Sequence, residues 1–261
     1  MNQAKPYKTA ASEKIDTDAV YLMYSTAKSR QDKSLQNLYP INLVNSAGEI
    51  VRSWNAGCPI FSATVYKKFQ IAVLCFADLD LVLPGGTGGL FRLIDAESKL
   101  VFQYENILIH HTFERKNENF FFLQNRALSE LEKKKFKLTF AGKNIGAERL
   151  IEVNQKGETL WSWDFIDDGN SVIHSRIDTS LPELTHANSV RFYNSNIFSK
   201  NPALLLSFRN LSAIAMIDYV TKKLLWLSPK NAFDYQHDAT LIDEKNILAF
   251  NNGIHDEFMN L

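Results

Sequence analysis

Three of the six histidines stand at one point of a recurring pattern. His111 lies in Ile109-His110-His111-Thr112-Phe113, His186 in Thr185-His186-Ala187-Asn188-Ser189-Val190, and His237 in Gln236-His237-Asp238-Ala239-Thr240-Leu241. Each opens a short apolar run. A lone histidine is ordinarily a satisfied core or surface residue, but three in register are expected to converge on one spot. Asn188 falls two residues after His186, so strand alternation places both on one face. Arg209 ends the next apolar run, Ala203 to Arg209. Its guanidinium is a fork of donors suited to an oxyanion, and its alternative is a structural ion pair. Together these side chains would cradle an anion. Three histidines with an open fourth position also form a zinc constellation. Against zinc, Asp238 is expected on the opposite strand face from His237, and Arg209 and Asn188 suit an anion better than a cation. His110 is a rival to His111, whereas His174 and His255 fall outside the pattern.

The elements that must position these residues are short strands, rich in Val, Ile, Leu, Phe and Tyr and separated by turn residues. One unit is a hairpin closing on an aromatic. Its copies are Ile41 to Trp54, Phe91 to Tyr104, Leu150 to Trp163 and Ile214 to Trp226. In each, an Asn or Asp (Asn45, Asp95, Asn154, Asp218) starts the turn by bonding its own backbone, and Gly48 and Gly157 supply positive φ. The histidine-bearing unit alternates with this hairpin, and a copy without histidine runs from Pro59 to Phe76. Four strands over roughly 50 to 65 residues are the mark of a propeller blade. The fold expected is all-β, a β-propeller spanning 19–261 after a polar segment, 1–18, with a β-sandwich as the alternative. The first strand of a blade lines the central channel, which is where the histidines fall. Leu128 to Phe136 is the only clear helical stretch.

Three full blades can be traced between residues 58 and 228, with three strands before and two after. The expectation is an arc of about four blades' worth of strands, C-terminally incomplete. Its exposed faces would drive aggregation or homo-oligomer formation. The strand of Ala19 to Thr26 pairing with Ile247 to Asn251 would instead close a ring.

Composition excludes several classes. The 261 residues carry 29 basic and 29 acidic side chains, 45% hydrophobic residues, 11 Gly and 7 Pro. That is a core-forming composition, neither disordered nor collagen-like. Zero net charge argues against a nucleic-acid partner. The run Glu132 to Lys135 reads as a solvated helix face. No stretch reaches the ~18–20 apolar residues of a membrane span. The segment 1–18 lacks the apolar core of a secretory signal. The expected compartment is therefore cytoplasmic, or periplasmic or secreted if the chain begins further upstream. Cys58 and Cys75 lack zinc-ligand spacing and are expected as buried free thiols, with a disulfide as the alternative. Pro84 to Gly89 lacks the Lys and Ser/Thr of a phosphate loop and reads as a loop between strands.

The segments Thr185 to Val190, Leu206 to Asn210, Ala213 to Asp218, Gln236 to Ala239 and Ala249 to Gly253, with Leu150 to Trp163 and His110-His111, resemble the nucleotide-independent arylsulfotransferases. The resemblance spans roughly Ala19 to Gly253 and is tightest from His186 onward. It implies a six-bladed propeller and ping-pong transfer of a sulfuryl group from an aryl sulfate to a phenol, through a sulfohistidine and without a cofactor. His237 matches the nucleophile, and His111, His186, Asn188 and Arg209 match the sulfuryl-binding set. A neutral imidazole near its usual pKa of about 6.5 is a competent nucleophile. Fixed donors would stabilise the oxyanions, and a third histidine would protonate the departing phenolate. The alternative is a non-catalytic propeller that binds a partner or an anionic ligand.

Overall fold

The computed structural model describes residues 20–24, 39–67, 69–76, 88–137, 146–165, 175–178 and 180–253. The segment 1–18, His174, His255 and residues 84–87 lie outside them. The fold is an all-β propeller of antiparallel blades. Strands β1 (Val20–Tyr24), β2 (Pro40–Asn45) and β3 (Ile50–Asn55) form one sheet. A seven-stranded sheet follows: β4 (Ile60–Lys67), β5 (Gln70–Phe76), β6 (Gly88–Ile94), β7 (Leu100–Lys116), β8 (Asn119–Ala127), β9 (Gly146–Val153) and β10 (Thr159–Asp164). Next come β11 (Ala187–Tyr193), β12 (Ala203–Phe208), β13 (Ala213–Asp218) and β14 (Leu224–Leu227), then the pair β15 (His237–Leu241) and β16 (Ile247–Phe250).

The seven-stranded sheet is two blades sharing one chain segment. The 17 residues of β7 pair with β6 through their first part and with β8 through their last. β7 is thus the outer strand of one blade and the inner strand of the next. In the described residues β1 pairs with β2 and β16 with β15.

The blades β4–β7, β7–β10 and β11–β14 have neighbours on both sides, so their middle strands are buried on both faces and read as continuous apolar runs. In β8, Phe120 and Phe122 pack toward Phe91 and Phe102, while Phe121 and Leu123 pack toward Leu204 and Leu206. In β12, Leu205 turns the other way, onto Met216 and Ala239. A polar pin crosses the same interface. Glu152, 1% exposed at its side chain, accepts from Lys116 Nζ at 2.9 Å, Asn119 Nδ2 at 2.6 Å and Tyr219 Oη at 2.6 Å.

The repeated Asn/Asp turns form as the pattern predicts. Asn45 Oδ1 accepts from the amides of Ala47 and Glu49, Asp95 Oδ1 from Glu97 and Lys99, Asn154 Oδ1 from Lys156 and Glu158, and Asp218 Oδ1 from Val220 and Thr221. Gly48 (φ 84°) and Gly157 (φ 81°) supply the positive φ, and Ser98 (64°) and Lys222 (59°) adopt it in the other two copies. A six-residue helix, α1 (Glu130–Lys135), sits inside the expected stretch, capped by Ser129 and Glu132.

Two expectations need correcting. Cys58 and Cys75 are joined in a disulfide rather than free. Ile60 pairs with Cys75 across β4 and β5, which leaves Cys58 beside the ladder with its Cα 6.0 Å from that of Cys75, within bridging reach. Gly88 and Gly89 open strand β6 rather than ending a loop. A Cβ on Gly88 would meet Ile109 O of β7 at 2.7 Å, so glycine there lets two strands approach closely.

Candidate functional site

Four inner strands, β4, the second half of β7, β11 and β15, line a cavity of about 660 Å³. β11 packs between β7 and β15, which aligns the histidine-bearing starts of three successive blades. Each start is irregular. His111 (φ 54°), His186 (φ 48°) and Asp238 (φ 51°) adopt left-handed backbone, and the ladders slip between His110 and Phe113, Ala187 and Ser189, and His237 and Thr240. Such bulges re-aim side chains that plain alternation would send elsewhere, and they concentrate at functional sites.

The irregularity overturns one face assignment. Asp238 lines the same cavity as His237 rather than the opposite face, because its left-handed φ breaks the alternation. It accepts from Arg191 Nη2 at 2.6 Å, and Arg191 Nη1 stands 3.6 Å from Glu114, so one guanidinium ties β7, β11 and β15 together. Burial pushes Glu114 up to about 7 despite Arg191. Asn188 also lines the cavity, but across a ladder slip from His186, and it gives an amide hydrogen to Gln236 O at 2.8 Å. Among the described residues no three His, Cys, Asp or Glu side chains are disposed to hold a metal.

The hydrogen-bond partners fix the histidine protons. Tyr235 O lies 3.0 Å from His237 Nδ1. A carbonyl only accepts, so the proton is on Nδ1 and the lone pair on Nε2. The Asn252 amide stands 3.2 Å from the same nitrogen, and beside an Nδ1–H it presents its oxygen rather than its NH2. His186 Nδ1 donates to Glu183 Oε2 at 2.7 Å. His111 Nδ1 lies 2.7 Å from Nδ1 of His110, a fully buried ring whose Nε2 has no partner. A bare buried nitrogen is better tolerated than an orphaned N–H. The shared proton is therefore on His110, and His111 carries its own on Nε2. His110, set aside as a rival in the sequence, is thus the neighbour that sets the His111 tautomer.

The candidates gather closely. His111 and His186 meet edge to face with centroids 5.0 Å apart. His237 lines the same cavity as His111 and Asn188, whereas His186 and Arg209 stand outside that lining. Arg209 sits in the turn after β12, where its amide donates to His186 O at 2.9 Å. Its guanidinium lies 4.6 Å from the Tyr235 ring and donates to Asn210 Oδ1 at 3.0 Å. Among the described residues no carboxylate pairs with it. Arg209 is therefore not half of an ion pair among the described residues, and the fork of its guanidinium suits an oxyanion. The sequence reading missed Glu183, Glu148, Gln236 and Tyr235. Gln236 could have been suspected from its place beside His237. It is fully buried and bonds Ser207 Oγ, Phe208 O and Ala213 O, pinning the start of β15 to the neighbouring blade.

Burial, then neighbouring His186, lowers the His111 pKa from 6.5 to about 3. A depressed folded pKa gives stability that is present above about 6.5 and lost as pH falls toward 3. His111→Asn, which tolerates the left-handed backbone, is expected to weaken that acid loss by up to several kcal/mol. Urea midpoints between pH 7 and pH 3 check this, and an unchanged acid limb would refute it.

The family model for arylsulfotransferase (ASST) matches residues 92–234, more than half of the 261-residue chain. The match includes His111, His186, Asn188 and Arg209 and ends just before His237. No curated protein matches the chain. Among solved structures, BBS1N in complex with ARL6DN is similar at 12% identity and TM-score 0.48, over 82% of this chain and 51% of that one. BamB from Moraxella catarrhalis is similar at 9% identity and TM-score 0.39, over 90% and 59%. The quinohemoprotein alcohol dehydrogenase ADHIIG from Pseudomonas putida HK5 is similar at 12% identity and TM-score 0.41, over 89% and 43%. The chain spans about half the length of these proteins.

Proposed function

The chain belongs to the arylsulfotransferase family, and from that premise we propose that it moves a sulfuryl group from an aryl sulfate ester to a phenol, with His237 as the transient carrier. The observation that carries this is the edge-to-face contact of His111 with His186, with His237 lining the same cavity as His111 and the Arg209 amide bonded to His186 O. His237 Nε2 holds the lone pair for attack on sulfur, because Nδ1 holds its proton against Tyr235 O. Burial also lowers the His237 pKa, so the ring is neutral near pH 7. As the N–S bond forms, the S–O bond to the aryl group breaks and the electron pair leaves on the phenolate oxygen. Arg209 and the Nε2–H of His111 supply fixed donors for the sulfuryl oxygens. The phenol then attacks sulfur, the N–S bond breaks, and His237 returns to its starting state. The cavity wall of Tyr66, Phe113 and Phe120 offers aromatic faces to an aryl group. The Cys58–Cys75 bridge supports an oxidising compartment over the cytoplasm.

The test is incubation with 4-nitrophenyl sulfate and phenol. Nitrophenolate release matched by phenyl sulfate formation supports the reading. Binding of the ester with no release would instead favour a non-catalytic anion-binding propeller.

A further inference from the structure

His186 is held by an acid, whereas His237 is held by a backbone carbonyl. Glu183 accepts from His186 Nδ1 at 2.7 Å and is 6% exposed. Behind it lies Glu148 of β9, 2% exposed. The backbone sets them side by side. Gly146 N donates to Pro182 O at 2.8 Å and Leu184 N donates to Gly146 O at 3.0 Å, a parallel bridge that lays Glu183 along the start of β9.

Two carboxylates at this depth do not both keep a charge. Glu183 Oε1 has no N–H or O–H donor within hydrogen-bond range among the described residues, and Glu148 lies toward the backbone amides of His186 and Ala187 and the carboxyl group of Glu183. A proton on Glu148 is the donor that Glu183 Oε1 lacks. Burial, then the Glu183 charge, raises Glu148 well above the usual carboxylate range. Burial opposes the charge on Glu183 as well, but the His186 and Glu148 bonds outweigh it and hold Glu183 below that range. The pair therefore carries one proton and one negative charge, with the charge directed at His186.

We propose that Glu183, backed by protonated Glu148, is a positioning pair that makes His186 the proton carrier of the transfer. This rests on the sulfuryl-transfer reading. The carboxylate keeps a proton on Nδ1, so Nε2 is the atom that exchanges. As the S–O bond of the donor breaks, the His186 imidazolium gives its Nε2 proton to the phenolate oxygen and becomes neutral. In the second half, the acceptor hydroxyl returns a proton to Nε2 as its oxygen takes the sulfuryl group. The acid pair stays at one negative charge throughout and offsets the imidazolium.

The test uses the full chain with Glu183→Gln and Glu148→Gln, on phenyl sulfate and on 4-nitrophenyl sulfate, whose leaving group needs no proton. Glu183→Gln is expected to lower kcat on phenyl sulfate about 100-fold and on 4-nitrophenyl sulfate only a few-fold. Glu148→Gln replaces the shared proton by an amide donor, so its loss on phenyl sulfate should fall between those of the parent and Glu183→Gln, and should again exceed its loss on 4-nitrophenyl sulfate. Equal losses on the two donors in Glu183→Gln would mean a merely structural role and overturn the proposal. Two spectra are independent of turnover. A downfield imidazole proton resonance from His186 should persist in Glu148→Gln and vanish in Glu183→Gln. An infrared carbonyl band of a protonated carboxylic acid should vanish in Glu148→Gln. Absence of both signals in the parent chain overturns the shared proton. Both signals in a parent chain that transfers no sulfuryl would overturn the transfer reading, and with it the proton-carrier role, but not the pair.

Discussion

His237→Ala is expected to abolish aryl sulfate turnover, by a factor on the order of 10⁴ or more, the range seen when a covalent nucleophile is removed. No neighbouring ring can take over. His111 carries its proton on Nε2, and in the proposed proton-carrier role His186 holds protons on both nitrogens, so neither offers a lone pair to the donor. The fold should barely notice the change. His237 is half-buried, and its Nδ1 bond is to the carbonyl of Tyr235, two residues away. The discriminating measurement is a single-turnover burst of nitrophenolate, which should vanish in the variant while its urea midpoint stays near the parent value. Added imidazole is expected to restore part of the rate by filling the vacated space. A burst that survives the substitution would move the nucleophile to another histidine and leave His237 as a binding residue.

The legible part of this molecule is the part written in local side-chain chemistry. Asn45, Asp95, Asn154 and Asp218 close their own turns, so their spacing reports the hairpins directly, and the hairpins report the blades. The histidines stood out because the repeat brings them into register. What escaped lies in long-range pairing. Glu183 in a loop and Glu148 in a strand carry no mutual signal, because they meet only through the bridge of Gly146 to the following loop. The disulfide escaped for a related reason, since strand-like surroundings for Cys58 and Cys75 do not reveal which strands are neighbours. Asp238 was placed on the wrong face because alternation assumes extended backbone, and its φ of 51° departs from it. The same slip at the start of β11 separates Asn188 from the simple pairing with His186. Sites built on bulges are where periodicity arguments fail, and in this fold each histidine-bearing strand carries one beside its histidine.

The second large effect concerns Arg209, whose place in the site is set by backbone rather than by an acid. The turn 209–211 is held by Arg209 N on His186 O at 2.9 Å and by Asn210 Nδ2 on Glu183 O at 2.8 Å. The guanidinium is thus fastened to the two segments that carry His186 and Glu183, and it lies against the ring of Tyr235, two residues before His237. With one hydrogen bond to Asn210 Oδ1, its other donors would serve the sulfuryl group in the transfer proposed above. Negative charge builds on the leaving oxygen during transfer, so a fixed planar cation whose fork reaches that oxygen as well as the sulfuryl group is worth most in the transition state. Arg209→Gln is expected to lower kcat/KM for the sulfated donor by roughly 10²–10³-fold, with much of the loss in kcat. The KM for the uncharged phenol should hardly change. Arg209→Lys keeps the charge and loses the fork, so it should fall between the two. Steady-state kinetics with donor and acceptor varied separately read these effects. Loss of stability by several kcal/mol in Arg209→Gln, with donor kinetics intact, would make the residue a structural clasp between β12 and Tyr235. Loss of donor kinetics at unchanged stability would place it at the reacting group.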